Sequence, residues 1–221
     1  STDYMKTEDF ARRPLAWLDM ISRADGTVIS YSPTFGYDIC ARRISSQTHV
    51  AERFKLSHWR LAGNGADMIR PDVMQAFVDA FGDAGFKASA FLPSYGLAEA
   101  TLAVSIMPPG EGIEVELVEE SELTGVPGSP DRPTRYRAIV NCGKAVKDMT
   151  IEVRDADGSI LPDRTIGKVW CTGPSLMVGY FRDRESTEAC MKDGWLDTGD
   201  MGYMSNGYIY IVGRAKDMII I

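Results

Sequence analysis

Paired cysteines are missing from this chain. Its four, Cys40, Cys142, Cys171 and Cys190, show no CxxC spacing and lie too far apart in 221 residues for a disulfide framework or a zinc site. They read as small buried hydrophobes in a reducing cytoplasm. Long apolar runs are also absent. No window approaches the ~18 uninterrupted apolar residues a membrane helix needs, and the charged N-terminus, STDYMKTEDFARRP, has no apolar stretch of a secretory signal. Nor is there a basic excess. A formal net charge of −7 argues against a nucleic-acid or anionic-membrane surface, because a polyanion partner needs a basic stripe to release counterions. His49 and His58 fit no recognisable pattern. With 44% hydrophobic and 25% charged residues, the composition is that of an ordinary folded protein.

Periodicity supplies the organisation. Phe10, Leu15, Leu18 and Met20–Ile21 recur at near-helical spacing, 27–31 reads as a strand, and 37–44 resumes a helical period. Residues 59–62 form a short buried-strand candidate, leading through Gly63, Asn64 and Gly65 into an amphipathic helix over 71–81, where Val73, Phe77, Ala80 and Phe81 share a face. Gly82 to Gly85 ends that helix, and 88–92 is another strand candidate. Strand, glycine turn and helix in alternation predict a parallel α/β sheet with ligands at the strand C-termini.

After Pro108 the pattern changes. Residues 109–133 are rich in Gly, Pro, Glu and Ser and read as a long loop or insertion. Short strands then dominate: 138–142, 149–154, 167–172 and 208–212, with Asn206-Gly207 as a type I′ hairpin signal. The expected fold class is therefore α/β: a parallel α/β subdomain over 1–108, then a small antiparallel β-barrel-like subdomain over 109–215.

One segment stands out chemically, LPSYGLAEATL from Leu92 to Leu102. Tyr95 offers a flat ring, Gly96 lets backbone approach a ligand, and Glu99 is expected one turn into a helix opened by Ser94. That combination suits a nucleotide. Taken alone, Tyr95 could be a core ring and Glu99 a helix N-terminal acid.

Three further fragments fall into register with it: GNGADMIRP (Gly63 to Pro71), GKVWCTGPSLMVGYF (Gly167 to Phe181) with GWLDTGDMGY (Gly194 to Tyr203), and GRAKDMII (Gly213 to Ile220). In this order they resemble the core motifs of the adenylate-forming superfamily, which includes acyl-CoA synthetases, nonribosomal peptide synthetase adenylation domains and luciferases. The closer likeness is to fatty acyl-AMP ligases, through SYGLAEAT, the Cys142-Gly143 pair after a long insertion, and WLDTGD.

The resemblance implies ATP and Mg²⁺ as cofactors, a fatty acid substrate, and an acyl carrier protein as acceptor. CoA would be the acceptor if the chain were a long-chain acyl-CoA synthetase. A third reading is a non-catalytic nucleotide-binding remnant. The resemblance implies that Tyr95 stacks on adenine, a contact worth on the order of 1–3 kcal/mol by analogy with base stacking, with Gly65 and Ala66 as the opposite wall, Gly96 keeping the approach open and Asn64 near the adenine amino group. Glu99 corresponds to the magnesium-binding carboxylate, in keeping with the preference of Mg²⁺ for a carboxylate plus phosphate and water oxygens. Thr101 would add a hydroxyl nearby or simply pack. Asp200 would accept from both ribose hydroxyls, and Arg214 would reach ribose or phosphate. Lys216 and Asp217 fall at the family's hinge, opening a segment, 216–221, that leads towards a C-terminal domain. Phe35 and Tyr37, in SPTFGYDIC, are candidates for the acyl site or for ordinary core aromatics.

Two family features have no counterpart. The glycine-, serine- and threonine-rich phosphate loop is absent between Ser1 and Ser32, and no lysine-bearing C-terminal domain follows the apolar end Met218 to Ile221. The expectation is a truncated chain, the second half of a large N-terminal domain, inactive in adenylation alone. The insertion would lie within 108–141.

Overall fold

The computed structural model describes residues 2–44, 50–124 and 133–217. His49 and the terminal run from Met218 lie outside them, as does part of the expected insertion. The chain forms two compact units, Ser1–Leu92 with Pro109–Ile113, and Pro93–Pro108 with Glu114–Ile221. This division by contacts falls inside a strand, at Leu92.

The first unit carries α1 (Thr7–Arg12), α2 (Leu15–Arg23), β1 (Val28–Ser32), α3 (Thr34–Ile44), α4 (Val50–Arg53), β2 (Trp59–Asn64) and α5 (Pro71–Phe81). The single helical period read across Phe10–Ile21 is broken, because Pro14 cannot donate a backbone N–H and ends the first helix. β1 and β2 pair in parallel, Ile29 opposite Leu61 and Ser32 opposite Asn64, which obliges the chain to cross over through α3. α5 begins with Pro71 in its first turn, where a fixed φ and a missing donor cost nothing, and buries Val73, Met74, Phe77 and Phe81.

The core of this unit is aromatic. Phe77 meets Tyr37 edge-on at 5.1 Å, Phe86 at 5.0 Å and Phe81 at 4.6 Å between ring centroids, while Trp17 and Trp59 meet at 5.1 Å. Such pairs add about 0.5–1.5 kcal/mol each beyond the area they bury.

The second unit starts within β3 (Phe91–Leu97), followed by β4 (Leu102–Ile106), β5 (Val115–Glu119), α6 (Glu120–Thr124), β6 (Tyr136–Val140), β7 (Lys144–Ala145), β8 (Thr150–Arg154), β9 (Gly167–Thr172), α7 (Arg184–Cys190), β10 (Met191–Lys192), β11 (Trp195–Ser205) and β12 (Tyr208–Arg214). β8, β9, β11 and β12 form an antiparallel sheet. The free edge of β12 is closed by residues 141–143: Cys142 N donates to the Ile209 carbonyl, and Ile209 N donates to that of Gly143, both at 2.9 Å. β5 and β6 pair alongside, and Val118, Leu123 and Ile139 pack on Tyr203, Tyr210 and Val212. The fold is thus α/β, a parallel α/β part followed by an antiparallel barrel-like part.

Four expectations need correction. The strand expected over 88–92 begins only at Phe91, after a 3₁₀ turn at Ala88–Ala90, and it runs on to Leu97. Ser94 therefore opens no helix: β3 pairs antiparallel with β4, Ser94 opposite Ile106 and Leu97 opposite Leu102, and Glu99 sits in a 3₁₀ turn, Ala98–Ala100. The expected 109–133 loop contains β5 and α6. Finally β11, eleven residues long, is a strand that the sequence pattern hides, because glycine and aspartate interrupt its apolar residues.

Candidate active site

In the first unit the candidates cluster around the C-terminal end of β2. Asn64 is wholly buried, Gly65 is half-buried and Ala66 adopts a left-handed φ of 70°. The Asp67 carboxylate fixes this turn by accepting from the backbone N–H of Thr34 at 2.8 Å and of Phe35 at 3.4 Å, which also satisfies two orphan donors at the start of α3. Thr34 Oγ1 donates to the Met68 carbonyl at 3.1 Å. Asp67 was not anticipated, although an aspartate two residues after a glycine turn is a usual source of such a bond.

Phe35 and Tyr37 part company. Tyr37 is fully buried among aromatic rings, and its hydroxyl donates to the Gly63 carbonyl at 2.8 Å, so its immediate task is packing. Phe35 is 52% exposed and lines a cavity of about 710 Å³ with Phe10, Trp17, Met20, Ile21 and Tyr31.

In the second unit, Tyr95, Asp200 and Arg214 come together. Asp200 and Arg214 face each other across β11 and β12. The Tyr95 hydroxyl donates to Asp200 Oδ2 at 2.6 Å, and Arg214 Nε lies 3.3 Å from Asp200 Oδ1. Arg214 Nη1 also donates to the Thr198 carbonyl at 3.1 Å, and Thr198 Oγ1 accepts from Asp200 N at 3.2 Å while donating to the Val169 carbonyl at 2.9 Å. Thr198 is thus a supporting residue that sequence reasoning passed over. Gly199 has a φ of 72°, which favours glycine and turns the strand between Thr198 and Asp200.

The electrostatics follow from burial. Desolvation raises the Asp200 carboxyl above its ordinary value, opposed by the Tyr95 hydroxyl and the Arg214 charge. Burial, then the Asp200 charge, push the Tyr95 phenol far above its ordinary range, so it remains a hydrogen-bond donor. Burial pushes the thiols of Cys40, Cys142 and Cys171 up to about 12, which removes them as nucleophiles, while Cys190 is only half-buried.

Glu99 follows β3 directly. Its Oε1 accepts from the Tyr180 hydroxyl at 2.7 Å, a partner not anticipated although Tyr180 lies inside the quoted GKVWCTGPSLMVGYF fragment. Thr101 is in the left-handed region, φ 54°, with its hydroxyl donating to the Ser175 carbonyl at 2.6 Å. Gly96 tolerates no side chain, because a Cβ there would stand 1.5 Å from the Leu102 carbonyl oxygen. Lys216 and Asp217 lie exposed in a 3₁₀ turn immediately after Arg214.

Among the described residues there is no group of three or more His, Cys, Asp or Glu that could hold a metal. A lone carboxylate such as Glu99 can hold a hard cation only together with oxygens from phosphate or water. No helix among the described residues is long and apolar enough to cross a membrane.

Known proteins resemble this chain in sequence and in fold. The sequence pattern of the AMP-binding enzymes matches residues 2–181. A Caulobacter vibrioides protein named as an acyl-CoA synthetase is 47% identical over 100% of this chain and 39% of its own length. The medium-chain-fatty-acid–[acyl-carrier-protein] ligase JamA of Moorena producens is 34% identical over 96% of this chain and 38% of its own. A solved structure from a study of fatty acyl-adenylate ligases of E. coli and L. pneumophila superposes with a TM-score of 0.89 at 42% identity, covering 100% of this chain and 40% of that one. The chain therefore spans about two fifths of the proteins it matches.

Proposed function

Because this chain belongs to the AMP-binding enzyme family, we propose that it forms part of an ATP-dependent fatty acid adenylating enzyme, a fatty acyl-AMP ligase working in the cytoplasm. The reaction makes acyl-AMP and pyrophosphate and passes the acyl group to an acyl carrier protein. One observation carries this reading: Tyr95, Asp200 and Arg214 form a single hydrogen-bonded network, and Glu99 follows Tyr95 on the same run of chain.

Each role follows from the chemistry. A fatty carboxylate attacks the α-phosphorus in line, a new P–O bond forms, and the bond to pyrophosphate breaks. No protein nucleophile is required, so the protein positions the groups and neutralises charge. Asp200, an acceptor with two oxygens, suits the vicinal ribose diol. Tyr95 offers its ring to adenine while its hydroxyl fixes Asp200, and Arg214 supplies charge beside ribose or phosphate. Gly65, Ala66 and Asn64 are the first unit's candidates for contact with the base. Bound Mg²⁺ would neutralise phosphate charge, with Glu99 as its protein ligand and Thr101 shaping the turn that presents it. Phe35 would border the acyl chain. Lys216 and Asp217 would form the hinge.

The acyl-carrier acceptor is supported by the name of the Moorena relative, while the Caulobacter relative's name favours a second reading, transfer to CoA. Assaying the full-length protein with ATP, a fatty acid and either CoA or a phosphopantetheinylated carrier protein separates the two, and efficient acyl-CoA release overturns the ligase reading. Glu99→Ala should lower fatty-acid-dependent ATP–pyrophosphate exchange by at least ~100-fold, by analogy with removing one charge-stabilising group. An unchanged rate would refute the metal role.

A further inference from the structure

Tyr180 has no part in the roles assigned above, yet much of its surroundings is arranged to hold it. The segment around it is scarcely buried: Tyr180 is 40% exposed, Phe181 86% and Val178 fully so. Apolar packing therefore does not fix its position. Polar ties do. Met177 N donates to the Glu99 carbonyl at 2.7 Å, the Thr101 hydroxyl donates to the Ser175 carbonyl at 2.6 Å, and the Tyr180 hydroxyl donates to Glu99 Oε1 at 2.7 Å. The far side of the segment is anchored as well. Tyr180 N donates to Thr187 Oγ1 at 2.9 Å, Thr187 Oγ1 donates to the Asp183 carbonyl at 2.7 Å, and Asp183 caps α7 by accepting from Ser186 N at 2.9 Å.

We propose that Tyr180 is a positioning residue for Glu99, holding Oε1 so that the other carboxylate oxygen is presented to the divalent cation that accompanies ATP. This rests on the adenylation reading above. A hexacoordinate cation demands near-ideal geometry from its few protein ligands, and a donor on the distal oxygen is the ordinary way to hold such a carboxylate in one rotamer. Glu99 is half-exposed at a turn, so without that donor its side chain would sample several rotamers in water.

The test uses the full-length protein with Mn²⁺ as a paramagnetic substitute and an ATP analogue carrying a methylene bridge between the α- and β-phosphates. Electron paramagnetic resonance then reports cation binding without turnover. Tyr180→Phe should weaken Mn²⁺ in this ternary complex about tenfold, the lower end for loss of a supporting contact, while metal-free AMP binding stays within about twofold. Thr187→Val, which removes the anchor and leaves the hydroxyl of Tyr180, should shift Mn²⁺ in the same direction by less, and it carries the test if Tyr180→Phe does not fold. Unchanged Mn²⁺ affinity in the folded variants overturns the proposal, as does a parallel loss of AMP binding, which would make Tyr180 a structural residue. If the wild type binds Mn²⁺ with the analogue but shows no fatty-acid-dependent exchange, the reaction proposed above fails while the positioning role stands.

Discussion

The two units hold their candidate residues by different means. In the first, Asn64, Gly65, Ala66 and Phe35 are carried at the ends of β2 and α3, which Asp67 ties together and which rest on an aromatic core centred on Phe77. In the second, Tyr95, Asp200, Arg214, Glu99 and Tyr180 are held largely by one another or by backbone carbonyls. The first arrangement should be sensitive to lost volume and the second to lost charge or hydrogen bonds. Stability and ligand binding should therefore respond to different substitutions in the two units.

The largest expected effect breaks the comparison from the core side. Phe77 is completely buried and meets five other aromatic rings, so Phe77→Ala should cost about 3–5 kcal/mol. Urea unfolding of the full-length protein gives the magnitude, and hydrogen exchange its location. Faster exchange in β1 and β2 with β9, β11 and β12 unaffected is the expected pattern. A uniform change across both units would sink the distinction.

Next comes the network. Asp200→Asn keeps the shape of the side chain and removes its charge, and a charged hydrogen bond is worth about 1.5–3 kcal/mol, so nucleotide affinity should fall roughly 10- to 150-fold. Calorimetric titration with AMP checks this. The pH dependence has a definite sign. The folded carboxyl titrates above its ordinary value of 3.8, so the protonated group is favoured by folding; its stabilising contribution is complete below 3.8 and is lost as pH rises through the elevated value. The stability of wild type relative to Asp200→Asn should therefore decline from about pH 4 towards neutrality. Melting temperatures across that range test it, and a rising difference would show that Tyr95 and Arg214 outweigh burial.

The same contrast explains what could be read from the sequence. Helix α5 is legible over its whole length because Pro71 starts it and apolar residues at helical spacing bury one face. β9 is equally legible, as a short apolar run between turn residues. Local pattern suffices where a core decides. β3 misled because Ser94, Tyr95 and Gly96 look like a turn, and only pairing with β4, together with the tight approach of Gly96 to Leu102, makes them extended. The candidate residues were nameable from chemistry and spacing, but their partners were not: Tyr95 meets Asp200 across 105 positions and Glu99 meets Tyr180 across 81. No local signal carries such pairings. Asp67 and Thr198 escaped for a related reason, since each acts through backbone atoms of another residue and resembles an ordinary turn or strand residue until the fold is known.

The smallest expected effect sharpens the comparison from within the second unit. Asp183 caps α7, and none of that helix's residues is buried, so little but the cap and its own backbone bonds hold it. Asp183→Ala should loosen α7 slightly, as loss of an N-cap does. In a core-held unit so small a loss at the surface would have no reach. Here the capped turn also anchors Thr187, which holds the backbone of Tyr180 beside Glu99, so the variant should raise the Mg²⁺ concentration that half-saturates pyrophosphate exchange by a few-fold while the exchange rate at saturating Mg²⁺ barely changes. If α7 loses hydrogen-exchange protection and the Mg²⁺ requirement does not move, Glu99 is held without help from this turn, and the description of the second unit as a mutually supporting network has to be narrowed to Tyr95, Asp200 and Arg214.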